Sequence, residues 1–266
     1  YALRMASILM MMMIAWIVIL VLNVHICRSF QMRFNQQHST MGLRMSTMST
    51  DLMTSSLKAR LFGLCAACDR GFFATQKERD EIAQAVEELC ALNLIEDCTK
   101  GLTPDDSSEC PLAGKWRMVY TNAADVLLIG ANPVSAVQAI YQIINRDGES
   151  SNIIDFIPRI ESVFPFSSIL RLCVKTKSKR RTDKRVGLQF VGGSVEPVSI
   201  LDFDVSNILP KIGGSFPRLK LFGGDNNNTD GQGYFDVKYL DNDTLIISQN
   251  EPGGYFISIR EDDDDW

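Results

Sequence analysis

The sequence predicts a mainly β protein: an antiparallel β-barrel preceded by an N-terminal helical segment, α+β in overall composition. Three observations carry that reading. From residue 112 onward, about ten short runs place apolar residues at every second position, the period of a strand. Turn chemistry such as NEPGG at 250–254 separates most of these runs. Two helical-period segments come before them and one stretch of helical spacing falls among them, a meandering order rather than the βαβα alternation of a parallel sheet.

The chain of 266 residues, 45% hydrophobic and 22% charged, suits one globular domain with extensions. Residues 1–50 read as a bipartite targeting leader, signal peptide then transit peptide. ASILMMMMIAWIVILVL (6–22) is uncharged and apolar, with a length between a signal-peptide core and a short transmembrane helix. Residues 28–50 hold Arg28, Arg33 and Arg44, many Ser and Thr, and no acidic residue, which is transit-peptide composition. The pair resembles the leader of proteins sent to complex, secondary plastids, in which an aromatic such as Phe30 follows the first cleavage. Residues 5–26, if retained, would instead anchor the chain in a membrane. Beyond residue 50 the balance is 23 basic against 32 acidic residues, net −9, which argues against a general nucleic-acid binder.

Of seven cysteines, Cys65 and Cys68 form a Cys-x-x-Cys inside a helical pattern. A redox pair follows a strand and a metal site wants a second pair, so these read as buried helix cysteines, with a thiol switch as the alternative. The two histidines, His25 and His38, both fall in the leader. The rest of the chain therefore lacks the residue that Ser-His-Asp catalysis, Cys-His catalysis and histidine-based zinc sites need.

The helical segment, 51–98, has helices over 52–66 and 75–92. Gly71 is placed to end the first, Thr75 to cap the second, and Ile82, Val86, Leu89 and Leu92 share a face. TKGLTPDDSSECP (99–111) reads as a polar linker. The barrel spans 112–260 and opens with LAGKWRMVYT, in which Trp116, Met118 and Tyr120 point one way. NPVSAVQAIYQIINRDG then predicts a helix with Val134, Val137, Ile140 and Ile144 inward. Strands follow at Ile153–Ile157, Ile160–Phe164, Ile169–Thr176, Arg185–Val191, Val198–Asp202, Arg218–Phe222, Gly233–Tyr239, Leu245–Ser248 and Tyr255–Arg260, and 261–266 is an acidic tail.

Three blocks in order, CDRGFFATQKERDEIAQAVEELCALN, LAGKWRMVYT and GYFDVKYLDNDTLIISQNEPGGYFISIR, resemble the plastid-lipid-associated protein (fibrillin) family across nearly all of residues 52–260. The blocks match its Asp-Arg-Gly segment (Asp69-Arg70-Gly71), its Gly-x-Trp strand and its closing hairpin. The hairpin departs from the family pattern: Leu245–Gly253 lacks both arginines the family places there, so no anion contact is carried over. The resemblance implies a lipocalin-like barrel that holds an apolar molecule and associates peripherally with thylakoid or plastoglobule lipid. Strand alternation assigns the candidate lining: Trp116, Met118, Tyr120, Leu188, Phe190, Phe235, Val237, Tyr239, Tyr255, Ile257 and Ile259. The same side chains would equally fill a solid barrel. Gly114, Trp116 and Arg260 match the lipocalin arrangement in which an Arg covers a Trp and closes one end.

KTKSKRRTDKR (175–185) concentrates Lys175, Lys177, Lys179, Arg180, Arg181, Lys184 and Arg185 at an expected hairpin tip, a patch suited to anionic lipid headgroups or simply a solvated loop. GGDNNNTDGQGYFDV fails as a calcium loop because its twelfth position is Val237 in place of Glu. The reading is a non-enzymatic plastid protein that binds or shelters a quinone, carotenoid or fatty acid, with no cofactor, no metal and no nucleic-acid partner. The alternative is a scaffold whose N-terminal helices dock a prenyl-lipid biosynthetic enzyme.

Overall fold

The computed structural model describes residues 47–261 apart from 94, 104–107, 132, 160–167, 201–202, 207–210, 215–232 and 251–252. Nearly all of the expected leader, the strands expected at Ile160–Phe164 and Arg218–Phe222, and tail residues 262–266 lie outside the described residues.

Two helices come first, α1 (Thr47–Ala66) and α2 (Gln76–Cys90). Thr75 starts α2 in a capping box: its hydroxyl accepts the Glu78 backbone N–H, and the Glu78 carboxylate accepts the Thr75 N–H in return. Ile82, Ala85, Val86 and Leu89 of α2 pack with Leu61, Cys65 and Cys68. Among the described residues no helix is long and apolar enough to cross a membrane.

The strands are β1 (Gly114–Thr121), β2 (Ser135–Ile144), β3 (Glu149–Pro158), β4 (Ile169–Arg180), β5 (Arg185–Ile200), β6 (Phe203–Asp204), β7 (Ile212–Gly214), β8 (Tyr234–Leu240), β9 (Thr244–Gln249) and β10 (Tyr255–Glu261); a short α3 (Ala124–Gly130) joins β1 to β2. Antiparallel pairings run β1-β2-β3-β4-β5-β8-β9-β10 and return to β1, while β6 and β7 hang from β5. Pairing β4 to β5 and β1 to β10 closes the ring, which leaves few free sheet edges.

The stretch expected as a helix, NPVSAVQAIYQIINRDG, is strand β2. A bulge between Val137 and Ala139 moves Val137 onto the face of Ile140 and Ile144. Its apolar spacing therefore imitates a helix, while β-branched and aromatic residues at 137, 140, 141, 143 and 144 favour the sheet. The strand expected at Arg185–Val191 and the described residues 198–200 of the one expected at Val198–Asp202 are parts of the single β5, because Gly192-Gly193 continues the strand instead of turning it. Glu261, expected in the acidic tail, is the last residue of β10; its carboxylate binds the buried Lys115 at 3.1 Å and also pairs with Arg117.

The described ends of the polar stretch 99–111 pack against the ring. Thr99, Leu102 and Cys110 are buried there beside Cys98 and Leu112, and the Cys98 and Thr99 N–H groups donate to the Asp183 carbonyl in the β4–β5 turn. Apolar anchors at 98, 102, 110 and 112 hold this otherwise polar segment in place, across the end of the ring where β1 begins and β4 ends.

Candidate functional site

That end is a sealed floor. Trp116 is fully buried, and its indole N–H donates to the Leu112 carbonyl at 2.9 Å. The Arg260 guanidinium lies 4.1 Å from the Trp116 ring centroid. It donates to the carbonyls of Ala113 (2.7 Å), Pro111 (2.8 Å) and Asn242 (2.7 Å), tying the floor segment to the β8–β9 turn. Gly114 makes room for it: φ is +142°, and a Cβ there would sit 2.3 Å from Arg260 Nη1. Burial moves the Arg260 pKa down from its ordinary value, yet a guanidinium stays charged. The structure thus brings Gly114, Trp116 and Arg260 into one closure.

Above the floor, Trp116 packs with Val186, Phe235, Val237, Leu245 and Ile247, and Leu188 and Phe256 lean on the same cluster half-buried. Higher in the ring, Val137, Ile154 and Phe156 group with Phe72, Ile129, Ile140, Leu170 and Leu172, all five of which, like Phe190 nearby in β5, are only half-buried. The interior is therefore buried at its closed end, and several of its apolar side chains are only half-buried toward the end near α3.

Five of the expected lining residues face elsewhere. Tyr120, Tyr239, Tyr255 and Ile257 pack beneath α1 and α2 with Leu61, Cys65, Ile82 and Val86, on the outer side of β1, β8 and β10. Bulges between Met118 and Tyr120 and between Val237 and Tyr239 shift the parity of those strands. In β10, Phe256 rather than Tyr255 joins the interior, since both faces of that strand are apolar. Ile259 lines a separate cleft on the helix side, which Met118, on the Trp116 face of β1, also borders where β1 and β2 part.

The tyrosines illustrate what burial does to this outer layer. Tyr120 and Tyr255 lie with ring centroids 5.9 Å apart, and beyond this pair neither hydroxyl has a partner among the described residues. Burial pushes the Tyr120 phenol up to about 12 and raises Tyr255 and Tyr239 too, the latter helped by donating its hydroxyl to Asp241 at 2.6 Å. Burial likewise pushes the Cys65 thiol up to about 12 and Cys90 to about 11, and raises Cys68, whose Sγ donates to the Leu64 carbonyl. Such thiols are protonated and weakly nucleophilic. Among the described residues no group of three or more His, Cys, Asp or Glu is placed to hold a metal ion.

The basic stretch is a wall more than a tip. β4 runs to Arg180 and only residues 181–184 turn, so Lys175, Lys177 and Lys179 alternate outward along the strand while Thr176 and Ser178 point in. Arg180 pairs with Asp97 and Asp183, and Arg185 grips Asp236 through two bonds of 2.6 and 2.9 Å. Arg181 and Lys184 are exposed in the turn.

The Asp69-Arg70-Gly71 segment ties the helices to the barrel. Asp69 and Arg70 take positive φ (41° and 58°), and Gly71 (φ +97°) passes so close to β1 that a Cβ would meet the Thr121 carbonyl oxygen at 2.0 Å. Arg70 bridges to Tyr120 of β1, and its guanidinium donates to the Val137 carbonyl of β2 at 2.7 Å and to that of Gln138. β1 and β2 pair directly only from Gly114↔Ile144 to Arg117↔Tyr141, so Arg70 staples the strands where they part.

A floor sealed by an Arg–Trp stack, an apolar interior and a helical layer outside define a closed-floor antiparallel β-ring. The PAP_fibrillin family model matches residues 55–259, and the chain belongs to that family. Its relatives include the chromoplast-specific carotenoid-associated proteins C1 and C2 of an Oncidium hybrid cultivar. Each is 26% identical, over 81% of this chain and 72% of the relative for C1, and over 79% and 70% for C2. The plastid-lipid-associated protein of Citrus unshiu is 25% identical over 77% of this chain and 68% of its own length.

Proposed function

We propose that this chain is a non-enzymatic plastid protein that shelters a small apolar molecule, of the quinone, carotenoid or fatty-acid type, in the upper half of its barrel. The supporting observation is the gradient of packing along the interior: fully buried from Trp116 to Ile247, half-buried at Ile140, Leu170, Leu172 and Phe190. A closed floor excludes water from one end, and apolar walls favour an apolar occupant. The relatives' names, carotenoid-associated and plastid-lipid-associated, support the ligand class and a plastid setting. Raised tyrosine and cysteine pKa values leave the buried groups protonated, which suits sheltering rather than chemistry.

The lysine row on β4 supports peripheral attachment to an anionic thylakoid or plastoglobule surface, at roughly 1 kcal/mol per lysine near the lipid. The test of the cup is a titration of the purified chain with a quinone, a carotenoid and a fatty acid, wild type against Leu172→Arg. Saturable binding lost in the variant supports the cup; binding unchanged by the charge at 172 contradicts it. A scaffold reading draws support from Leu52 (72% exposed) and Met53 (42%) on the free half of α1, and would show as a co-purifying prenyl-lipid enzyme released by Leu52→Asp.

A further inference from the structure

Outside the barrel, where β1 and β2 part above Arg117 and Tyr141, lies a cleft of about 300 Å³. Phe62 and Cys65 of α1 form one wall; Met118 and Val119 of β1 with Ala139 of β2 form the other. The Asp69–Arg70 corner and Arg117 make its polar edge. We propose that this seam cleft is a second small-molecule site, separate from the barrel interior, that takes a ring-sized molecule carrying a carbonyl oxygen, such as a benzoquinone head.

Size, lining and charge each narrow the occupant. Pockets for small ligands span about 300–1,000 Å³, so this one suits a single ring and is too small for an extended polyene. Its walls are apolar, which selects against a fully polar solute. Its edge offers guanidinium donors: Arg70 is paired with Asp69 at 2.7 Å, and Arg117 shares the one Glu261 carboxylate with Lys115. Such donors suit an acceptor oxygen on the occupant. Arg70 Nε is buried and has no partner among the described residues, so the corner holds a donor unused by the fold. Two consecutive non-glycine residues in the left-handed region, Asp69 and Arg70, are backbone strain held at the cleft's rim, where ligand clamps store it.

The inference rests on the reading that this chain handles apolar small molecules, and the experiment separates the two. The folded chain is irradiated with a diazirine-bearing benzoquinone, and cross-linked peptides are mapped by mass spectrometry, with unlabelled benzoquinone as competitor. The expected result is saturable labelling of residues 62–70, 117–119 and 138–139. Ala66→Trp at the exposed rim should cut that labelling at least tenfold without changing the melting curve. Labelling confined to Leu188, Phe235 and their neighbours would overturn the seam site and leave the barrel reading standing. The same peptides labelled by a diazirine fatty acid but not by the quinone would overturn the ring-carbonyl class. A chain that takes up no probe at either place would overturn the small-molecule reading itself.

Discussion

Replacing Arg260 by Met keeps the aliphatic stem over Trp116 and removes the guanidinium. The carbonyls of Pro111, Ala113 and Asn242 then each lose a charged donor at 2.7–2.8 Å. A hydrogen bond to a charged group contributes about 1.5–3 kcal/mol net, and a cation–π contact about 0.5–2. The bond to Asn242 is solvent-exposed and water can replace it, whereas those to Pro111 and Ala113 are partly buried beside the fully covered Trp116. The expected loss is therefore about 3–5 kcal/mol, a large share of the roughly 5–15 that a domain possesses. Urea unfolding followed by far-ultraviolet circular dichroism, at unchanged m-value, measures it. A double-mutant cycle with Trp116→Phe should return a coupling of about 0.5–2 kcal/mol for the stacked pair. A loss under about 1 kcal/mol for Arg260→Met would refute the floor as the barrel's main closure.

Trp116→Ala should cost about 3–5 kcal/mol by opening a cavity above Leu112, read in the same unfolding assay. Gly71→Ala places a methyl against the Thr121 carbonyl at a left-handed φ and should lower stability by at least about 1–3 kcal/mol, visible as a lower urea midpoint. Burial raises the Asp125 carboxyl above its usual value although Val126 N–H and Gln249 donate to it, so its native form favours the proton. A raised folded-state pKa means that charge at neutral pH costs stability, and that the cost fades as pH falls toward the unfolded value near 4. Asp125→Asn should therefore raise Tm at pH 7 and lose its advantage in acid, as a pH series of thermal melts would show. Lys175, Lys177 and Lys179 changed together to Ala should weaken binding to anionic vesicles about a hundredfold at low salt, with little effect on neutral vesicles.

Much of this architecture was written in local chemistry. Thr75 and Glu78 announce the start of α2, and the alternation at Trp116–Met118 of β1 and at Lys175–Lys179 of β4 announces strands. Gly114, Trp116 and Arg260 are far apart in sequence but meet because β1 and β10 pair in register, Trp116 opposite Arg260. What escaped was set by tertiary context. Bulges at 118/120, 137/139 and 237/239 reverse which face a side chain occupies, and no residue type marks them. They send Tyr120 and Tyr239 out to the helices and lend β2 the spacing of a helix. The floor segment was hidden for another reason: four buried anchors, at 98, 102, 110 and 112, are too few to lift a polar stretch above the look of a linker. Arg70 likewise carries no local signal of its role, since its partners on β2 are backbone carbonyls.

The central claim is that the barrel above Trp116 is occupied. Native extraction of the full chain from plastid membranes, followed by lipid mass spectrometry of the purified protein, tests it directly. The account predicts a stoichiometric apolar molecule, absent from a Leu172→Arg preparation of equal fold. A chain that emerges folded and lipid-free would contradict it.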